Sequence, residues 1–252
     1  MLTILQNYIC TNKYRLDLVK LYFPGWKKQF SKYKFVVNYN HTINYEVIRD
    51  LYRENIPNYE LVNNLEKDWG KTTLELVNKI DTKYTLVLIE DFEVVNSDLN
   101  YLTNVLTEIE ESSCNYVLMH KLKKYTSPQC INRYEEKNFI YTCEWNLYPA
   151  ACLSIVGIFE TNLLKKILIH YLNQERTVKN SQITNIHGIH TPNNFEDVYS
   201  NWNENRMKLI LPSYLNQFNI KIKAAIPKND IIFHNEGVQQ IKQREIFLDR
   251  DN

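Results

Sequence analysis

The sequence feature that most constrains the fold is an unbroken apolar run, Tyr84–Ile89, which is followed directly by the acidic segment Glu90–Glu93. A strand that is apolar on both faces needs cover on both faces, as in a parallel sheet flanked by helices. The preceding residues, from the candidate N-cap Asp68 to Ile80, carry apolar residues at helical spacing. The run therefore predicts a buried strand that follows a crossover helix.

The same alternation of strand and helix patterns extends over the first 120 residues. Strands are predicted at 2–9, 34–39, 59–63, 84–89 and 116–120, and helices at 14–22, 45–54, 68–80 and 98–111. The first helix is expected to stop at Pro24-Gly25, because an interior proline removes a helical hydrogen bond. Such alternation predicts an α/β fold with a Rossmann-like, mostly parallel central sheet flanked by helices.

The second half of the chain is less regular. Strands are expected within 150–159, 221–226 and 231–233, and helices near 160–172, 197–206 and 209–218. No Pro/Gly/Ser-rich linker divides the chain, so residues 1–252 are interpreted as a single domain. The charged residues 239–252 are interpreted as a C-terminal tail.

Composition and charge exclude several classes of protein. A hydrophobic content of 44% is enough for a large core, and a net charge of +1 provides no broad field that would gather nucleic acid. Five cysteines without a Cys-x-x-Cys pair favour a reducing compartment. The N-terminus lacks the basic lead of a signal peptide, and no apolar run approaches the roughly 20 residues that span a bilayer. We expect a cytoplasmic protein without a transmembrane segment, and peripheral attachment to a membrane stays open.

The acidic segment suits a divalent cation. Three carboxylates within four residues repel one another, and burial disfavours the charge of each one. Mg²⁺ and Mn²⁺ take carboxylate oxygens and bridge to phosphates, and ligands of parallel sheets bind at the carboxyl ends of the strands. The alternative is a solvated turn whose acids cap the helix that follows.

The chain resembles the glycosyltransferases of GT-A fold, in particular those of family 2. The resemblance lies in three strand–helix units followed by an apolar strand and acidic residues, Leu86–Phe92. Lys67–Gly70 and Thr72–Leu74 are similar to the segment of that family that packs beside the donor. The resemblance implies an enzyme, a hexosyl- or related transferase, that moves a sugar from a nucleoside diphosphate sugar to a hydroxyl of a glycan or lipid-linked acceptor. It also implies a nucleotide-sugar-binding half at 1–120 and an acceptor-binding half at 121–238.

The family's metal motif is Asp-x-Asp, and this sequence departs from it. Either Asp91 and Glu93 form the pair, or Glu90 and Asp91 are its first members and Phe92 replaces the last Asp. Asp91 belongs to both alignments. The resemblance implies Mn²⁺ or Mg²⁺ as cofactor, with Asp91, Glu93 and the late His234 as metal ligands.

Further site residues follow from the resemblance. The donor nucleotide is expected to bind at the ends of the first two strands, at the start of the third helix and at the acidic segment. The residues expected to contact it are Gln6, Asn7, Tyr8, Asn38, Asn40, Asp68, Glu90 and Asp91. Glu196 or Asp197 is expected to act as general base toward the acceptor hydroxyl, although acids are also favoured at helix starts.

Aromatic and polar residues alternate in one segment of the second half. Trp145, Asn146 and Tyr148 suit an acceptor pocket, because sugars lie on aromatic rings while their hydroxyls bond to amides. Ordinary core packing is the alternative role for the two aromatic residues.

Two other functions stay open. A Mg²⁺-dependent nucleotidyltransferase shares the sheet, but it normally has a Gly-rich loop after the first strand, where residues 8–14 contain no glycine. The second alternative is a glycosyltransferase-like domain that binds its ligand but does not catalyse a reaction. The altered acidic motif keeps this alternative open.

Overall fold

The computed structural model describes residues 2–8, 13–39, 44–63, 69–90, 92–119, 135–144, 156–169, 172 and 221–234. The strands are β1 (Leu2–Asn7), β2 (Lys34–Asn38), β3 (Tyr59–Val62), β4 (Tyr84–Val87), β5 (Phe92–Val94), β6 (Tyr116–Leu118), β7 (Glu135–Glu136), β8 (Ile140–Glu144), β9 (Gly157–Glu160), β10 (Lys223–Pro227) and β11 (Ile232–His234). The helices are α1 (Lys13–Phe30), α2 (Tyr45–Asn55), α3 (Trp69–Asn78), α4 (Tyr101–Glu111) and α5, residues 161–169.

Nine of these strands form one sheet in the order β3-β2-β1-β4-β9-β6-β10-β8-β7, and β5 and β11 form a separate two-stranded ribbon. The pairs of β1 with β2 and β4, and of β2 with β3, are parallel. The α/β fold class with a mostly parallel core flanked by helices is therefore confirmed. Because the strand order reverses at β1, the carboxyl ends of β1 and β4 form the edge at which such sheets bind ligands.

β9 runs antiparallel to both of its neighbours, β4 and β6. It begins at Gly157, where an added Cβ would lie 2.7 Å from the carbonyl oxygen of Val117. No side chain fits so close to a backbone atom, so glycine lets β9 enter the sheet beside β6. Strands from the second half of the chain thus complete the sheet that the first half begins.

The expected stop of the first helix at Pro24 is wrong, because α1 continues to Phe30 with Pro24 inside it. Pro24 lies on the exposed side, while Trp26 and Phe30 extend the buried stripe of the helix. An interior proline costs about 3 kcal/mol. Burial of an aromatic residue gains about 1.5–3 kcal/mol, so the two together outweigh that cost. None of the described helices is long and apolar enough to cross a bilayer.

The outer edge of the sheet carries an ion pair that makes part of the stability depend on pH. Lys34 Nζ lies 3.0 Å and Lys79 Nζ 3.5 Å from the carboxylate of Glu60. The hydrogen bond from Lys34 holds the pKa of Glu60 below its ordinary value of 4.5. The pair therefore stabilises the fold above that value, and this contribution is lost as the pH falls through the lowered pKa.

Glu60→Gln is accordingly expected to lose less stability than the natural chain between about pH 7 and about pH 3. Water reaches these side chains, so the difference should be below about 1 kcal/mol. Urea unfolding at both pH values measures it. Glu54→Gln on the exposed face of α2 is the control. Equal acid sensitivity of Glu60→Gln and the natural chain would contradict the prediction.

Candidate functional site

Two asparagine side chains join the carboxyl ends of β1 and β2 below the surface. Asn38 Nδ2 donates to Asn7 Oδ1 at 2.8 Å, and Asn7 Nδ2 donates to Thr73 Oγ1 of α3 at 3.0 Å. All three residues are buried. A buried amide that finds partners fixes its neighbours in place. The network therefore connects β1, β2 and α3 just below the carboxyl edge of the sheet.

On the other face of β1, Gln6 and Tyr8 meet α2. The hydroxyls of Tyr8 and Tyr52 lie 2.9 Å apart, and the Tyr52 hydroxyl also donates to Gln6 Oε1. Within the described residues, the buried Nε2 of Gln6 has no hydrogen-bond partner. An unmet buried donor costs about 1–3 kcal/mol. Gln6 thus holds spare hydrogen-bonding capacity at the edge where the sequence predicts nucleotide binding.

The acidic segment after β4 is held by α1 on both sides of position 91. The buried Glu90 carboxylate accepts a hydrogen bond of 2.9 Å from Arg15 Nη1 in the first turn of α1. Trp26 Nε1 donates to the Phe92 carbonyl oxygen at 2.8 Å. Neither Arg15 nor Trp26 is predicted from the sequence. A basic residue in the first helical turn after β1 is the one sequence signal that points to the ion pair.

The ribbon that follows carries two of the predicted metal ligands. Glu93 pairs with Phe233, and His234 pairs with Phe92. Glu93 is exposed, beside the exposed ring of Phe233. The roles of Glu93 and His234 as metal ligands stay predictions.

Several predicted site residues lie outside the described residues: Asn40, Asp68, Asp91, Trp145, Asn146, Tyr148, Glu196 and Asp197. The structure brings Gln6, Asn7, Tyr8, Asn38 and Glu90 together at one edge. Among the described residues, no group of three His, Cys, Asp or Glu side chains could hold a metal ion. Carboxylates, the side chains of Asp91 and Glu93, are the hard oxygen donors that Mg²⁺ and Mn²⁺ prefer.

Cys114 illustrates a reactive residue type in an unreactive setting. Burial raises the pKa of its thiol to about 11, and its Sγ lies 3.8 Å from the Ala224 carbonyl oxygen. The nucleophilic form of cysteine is the thiolate, which such a pKa suppresses near neutral pH. This thiol is therefore part of the core.

Replacing Arg15 by Gln is expected to lower the free energy of unfolding by about 2 kcal/mol, because it leaves the buried Glu90 carboxylate without this cation. The loss stays below that of a fully buried pair, since the Arg15 side chain is 19% exposed. Urea unfolding measures the change, with the exposed Lys28→Gln of the same helix as control.

The double variant Arg15→Gln/Glu90→Gln is expected to recover part of that stability, because it also removes the buried negative charge that Arg15 faces. If the double variant is less stable than Arg15→Gln alone, the ion pair is not what holds Glu90 in place.

Comparisons with known proteins place this geometry in a class of folds. No family model and no curated protein sequence matches the chain. S. aureus TarS 1-349 in complex with UDP is similar over 92% of this chain and 59% of that one, with 14% identity and a TM-score of 0.53. The mannosyltransferase PcManGT from Pyrobaculum calidifontis, in complex with GDP-Man and Mn²⁺, matches over 66% and 46%, with 12% identity and a TM-score of 0.47.

An apo-UDP-glucose pyrophosphorylase covers 100% of both chains at 9% identity, with a TM-score of 0.49. The chain spans 59% of the length of the TarS fragment that it matches. The likeness to TarS defines the fold as GT-A-like, as the resemblance in the sequence implies.

Proposed function

We propose that the chain is a glycosyltransferase that moves a sugar from a nucleoside diphosphate sugar to a hydroxyl of a glycan or lipid-linked acceptor. The observation that carries the proposal is the acidic segment at the carboxyl end of β4, in a GT-A-like fold, where α1 is bonded to the Glu90 side chain before position 91 and to the Phe92 carbonyl oxygen after it. A solvated turn would not need a buried Glu90 and two bonds to one helix.

The donor nucleotide is proposed to lie over the carboxyl ends of β1 and β2. Gln6 stays a proposed contact, through a buried Nε2 that has no hydrogen-bond partner among the described residues. Asn7 and Asn38 are bonded to each other and to Thr73, so in this proposal they support the site from below. Asn40 and Asp68 stay proposed contacts. UDP is bound to TarS in the structure compared above, so uridine diphosphate sugars are the first donors to test.

The acidic segment is proposed to serve the diphosphate. Asp91 is the main candidate to hold Mn²⁺ or Mg²⁺, with Glu93 and His234 as further candidates. When bound, such a cation would neutralise the charge of the leaving diphosphate. Because Arg15 already engages Glu90, the role of Glu90 in this proposal is to orient the segment.

The acceptor is assigned to the second half of the chain. Trp145, Asn146 and Tyr148 are proposed to bind an acceptor sugar, with rings against its C–H face and the amide at its hydroxyls. Glu196, or Asp197, is proposed to take the proton of the attacking hydroxyl, which requires a carboxylate within hydrogen-bond reach of it.

A panel of uridine and guanosine diphosphate sugars with Mn²⁺ or Mg²⁺ tests the proposal. We expect one donor to raise the thermal transition and to release its nucleoside diphosphate. Release of pyrophosphate from a nucleoside triphosphate and a sugar phosphate would instead identify a nucleotidyltransferase. Stabilisation by a donor without any turnover, over a broad set of acceptors, would identify a binding domain.

A further inference from the structure

The exposed face of α1 concentrates positive charge. Four exposed lysines and one exposed acid share this face, a net charge of +3, whereas the whole chain carries +1. The rest of the chain is therefore negative by two charges. The near-neutral net charge of the chain therefore conceals a positive face and a negative remainder. The electrostatic field near a surface depends on the charges close to it.

The lysines of this face are arranged in a line. Lys13, Lys20 and Lys27 recur every seven residues, which is close to two helical turns. All three are exposed, as is Lys28 on the adjoining row. The acid of the helix, Asp17, lies 3.9 Å from Lys20. The face thus presents a strip of ammonium groups over about 20 Å of helix.

An apolar side chain lies within that strip. Leu21 is 63% exposed, and Pro24 on the next turn is exposed as well. The opposite face of α1 packs into the core through Trp26, Phe30 and their buried neighbours. The helix therefore has two apolar aspects, one buried in the protein and a smaller one surrounded by lysines.

We propose that this face of α1, defined by Lys13, Lys20, Leu21, Pro24, Lys27 and Lys28, docks on an anionic phospholipid surface. The lysines match the negative headgroups, and Leu21 gains free energy by leaving water for the acyl boundary. A nucleic acid would use the same charges, but it gives an exposed aliphatic side chain no apolar medium to enter. The combination favours a membrane.

The docking would bring the membrane close to the candidate donor edge. The first turn of α1 carries Arg15, which is bonded to Glu90 of the acidic segment. A surface lying along the helix is thus within about one helix diameter, about 10 Å, of that segment. Under the proposed function, a lipid-linked acceptor would be presented there, but the docking itself does not depend on that function.

Flotation of the full chain with vesicles tests the proposal. We expect binding to equimolar phosphatidylcholine and phosphatidylglycerol, weakened by added salt, and little binding to phosphatidylcholine alone. Lys13→Gln/Lys20→Gln/Lys28→Gln is expected to weaken that binding about a hundredfold, since each lysine near an anionic surface contributes about one factor of five. Lys27 is left in place because it bonds to Asn55.

The matched control is Arg53→Gln/Lys166→Gln/Lys221→Gln, which removes three exposed basic side chains from other parts of the chain. Leu21→Ser is expected to weaken binding roughly tenfold. Leu99→Ser, at another exposed leucine, is its control and should bind as the natural chain does. Thermal melting verifies that every variant is folded.

Three results would overturn the proposal. One is equal loss of binding in the two triple variants, and another is equal binding to neutral and anionic vesicles. The third is lysine-dependent binding of single-stranded or duplex nucleic acid together with no binding to the vesicles.

Discussion

Asp91→Asn is expected to lower the rate of sugar transfer about a hundredfold or more, because loss of one group that stabilises developing charge has an effect of that order. Asp91 is the acid that both alignments of the motif include. The residues on either side of it are fixed by Arg15 and Trp26, so the change should leave the fold intact. Steady-state kinetics with the donor found in the panel, together with a thermal melt, measures both effects.

Asp81→Asn is the matched control, because Asp81 is an exposed acid just before β4, at the other end of that strand. It should keep full activity. Glu93→Gln and His234→Gln, made one at a time, show which of the two residues takes part. Full transfer by Asp91→Asn would refute the proposed role of Asp91 in the acidic segment.

Trp26→Ala is expected to lower the free energy of unfolding by about 3–5 kcal/mol, which is typical of a buried tryptophan replaced by alanine. Trp26 is fully buried on α1. Its loss removes the ring from the core and the hydrogen bond to the Phe92 carbonyl. Urea unfolding followed by circular dichroism measures the change.

Trp26→Phe separates the two contributions. It keeps most of the ring and removes the N–H donor, so the loss should be about 1–2 kcal/mol. Because Phe92 follows Asp91 directly, transfer by this variant should fall even at temperatures where it is fully folded. A variant as stable and active as the natural chain would mean that the hydrogen bond does not position the acidic segment.

Local sequence patterns predicted much of the first half of the fold. The apolar run at Tyr84 and the strand–helix alternation gave the parallel core, because burial on both faces leaves a local trace. The direction of a strand leaves no such local pattern in the sequence. The antiparallel course of β9 therefore could not be predicted from an apolar segment at 157–160. The continuation of α1 past Pro24 was missed because its reason, the burial of Trp26 and Phe30, is tertiary.

The positions of several candidate site residues were more predictable than their contacts. The carboxyl ends of β1, β2 and β4 follow from topology, and Gln6, Asn38 and Glu90 do lie there. The bonds from Arg15 to Glu90 and from Trp26 to Phe92 join residues 75 and 66 positions apart. No local pattern encodes such a pairing. The sequence also did not indicate that Asn7 and Asn38 bond to each other rather than pointing outward.

The course of β9 has a consequence for the growing chain on the ribosome. Among the strands that the structure describes, β4 and β6 are joined through β9, whose residues emerge some 40 positions after β6. Until then β4 has an unpaired apolar edge, a template for wrong pairing with another nascent chain. Fragments that end before residue 157 should therefore aggregate, and slow translation of that stretch should lower the yield of folded protein.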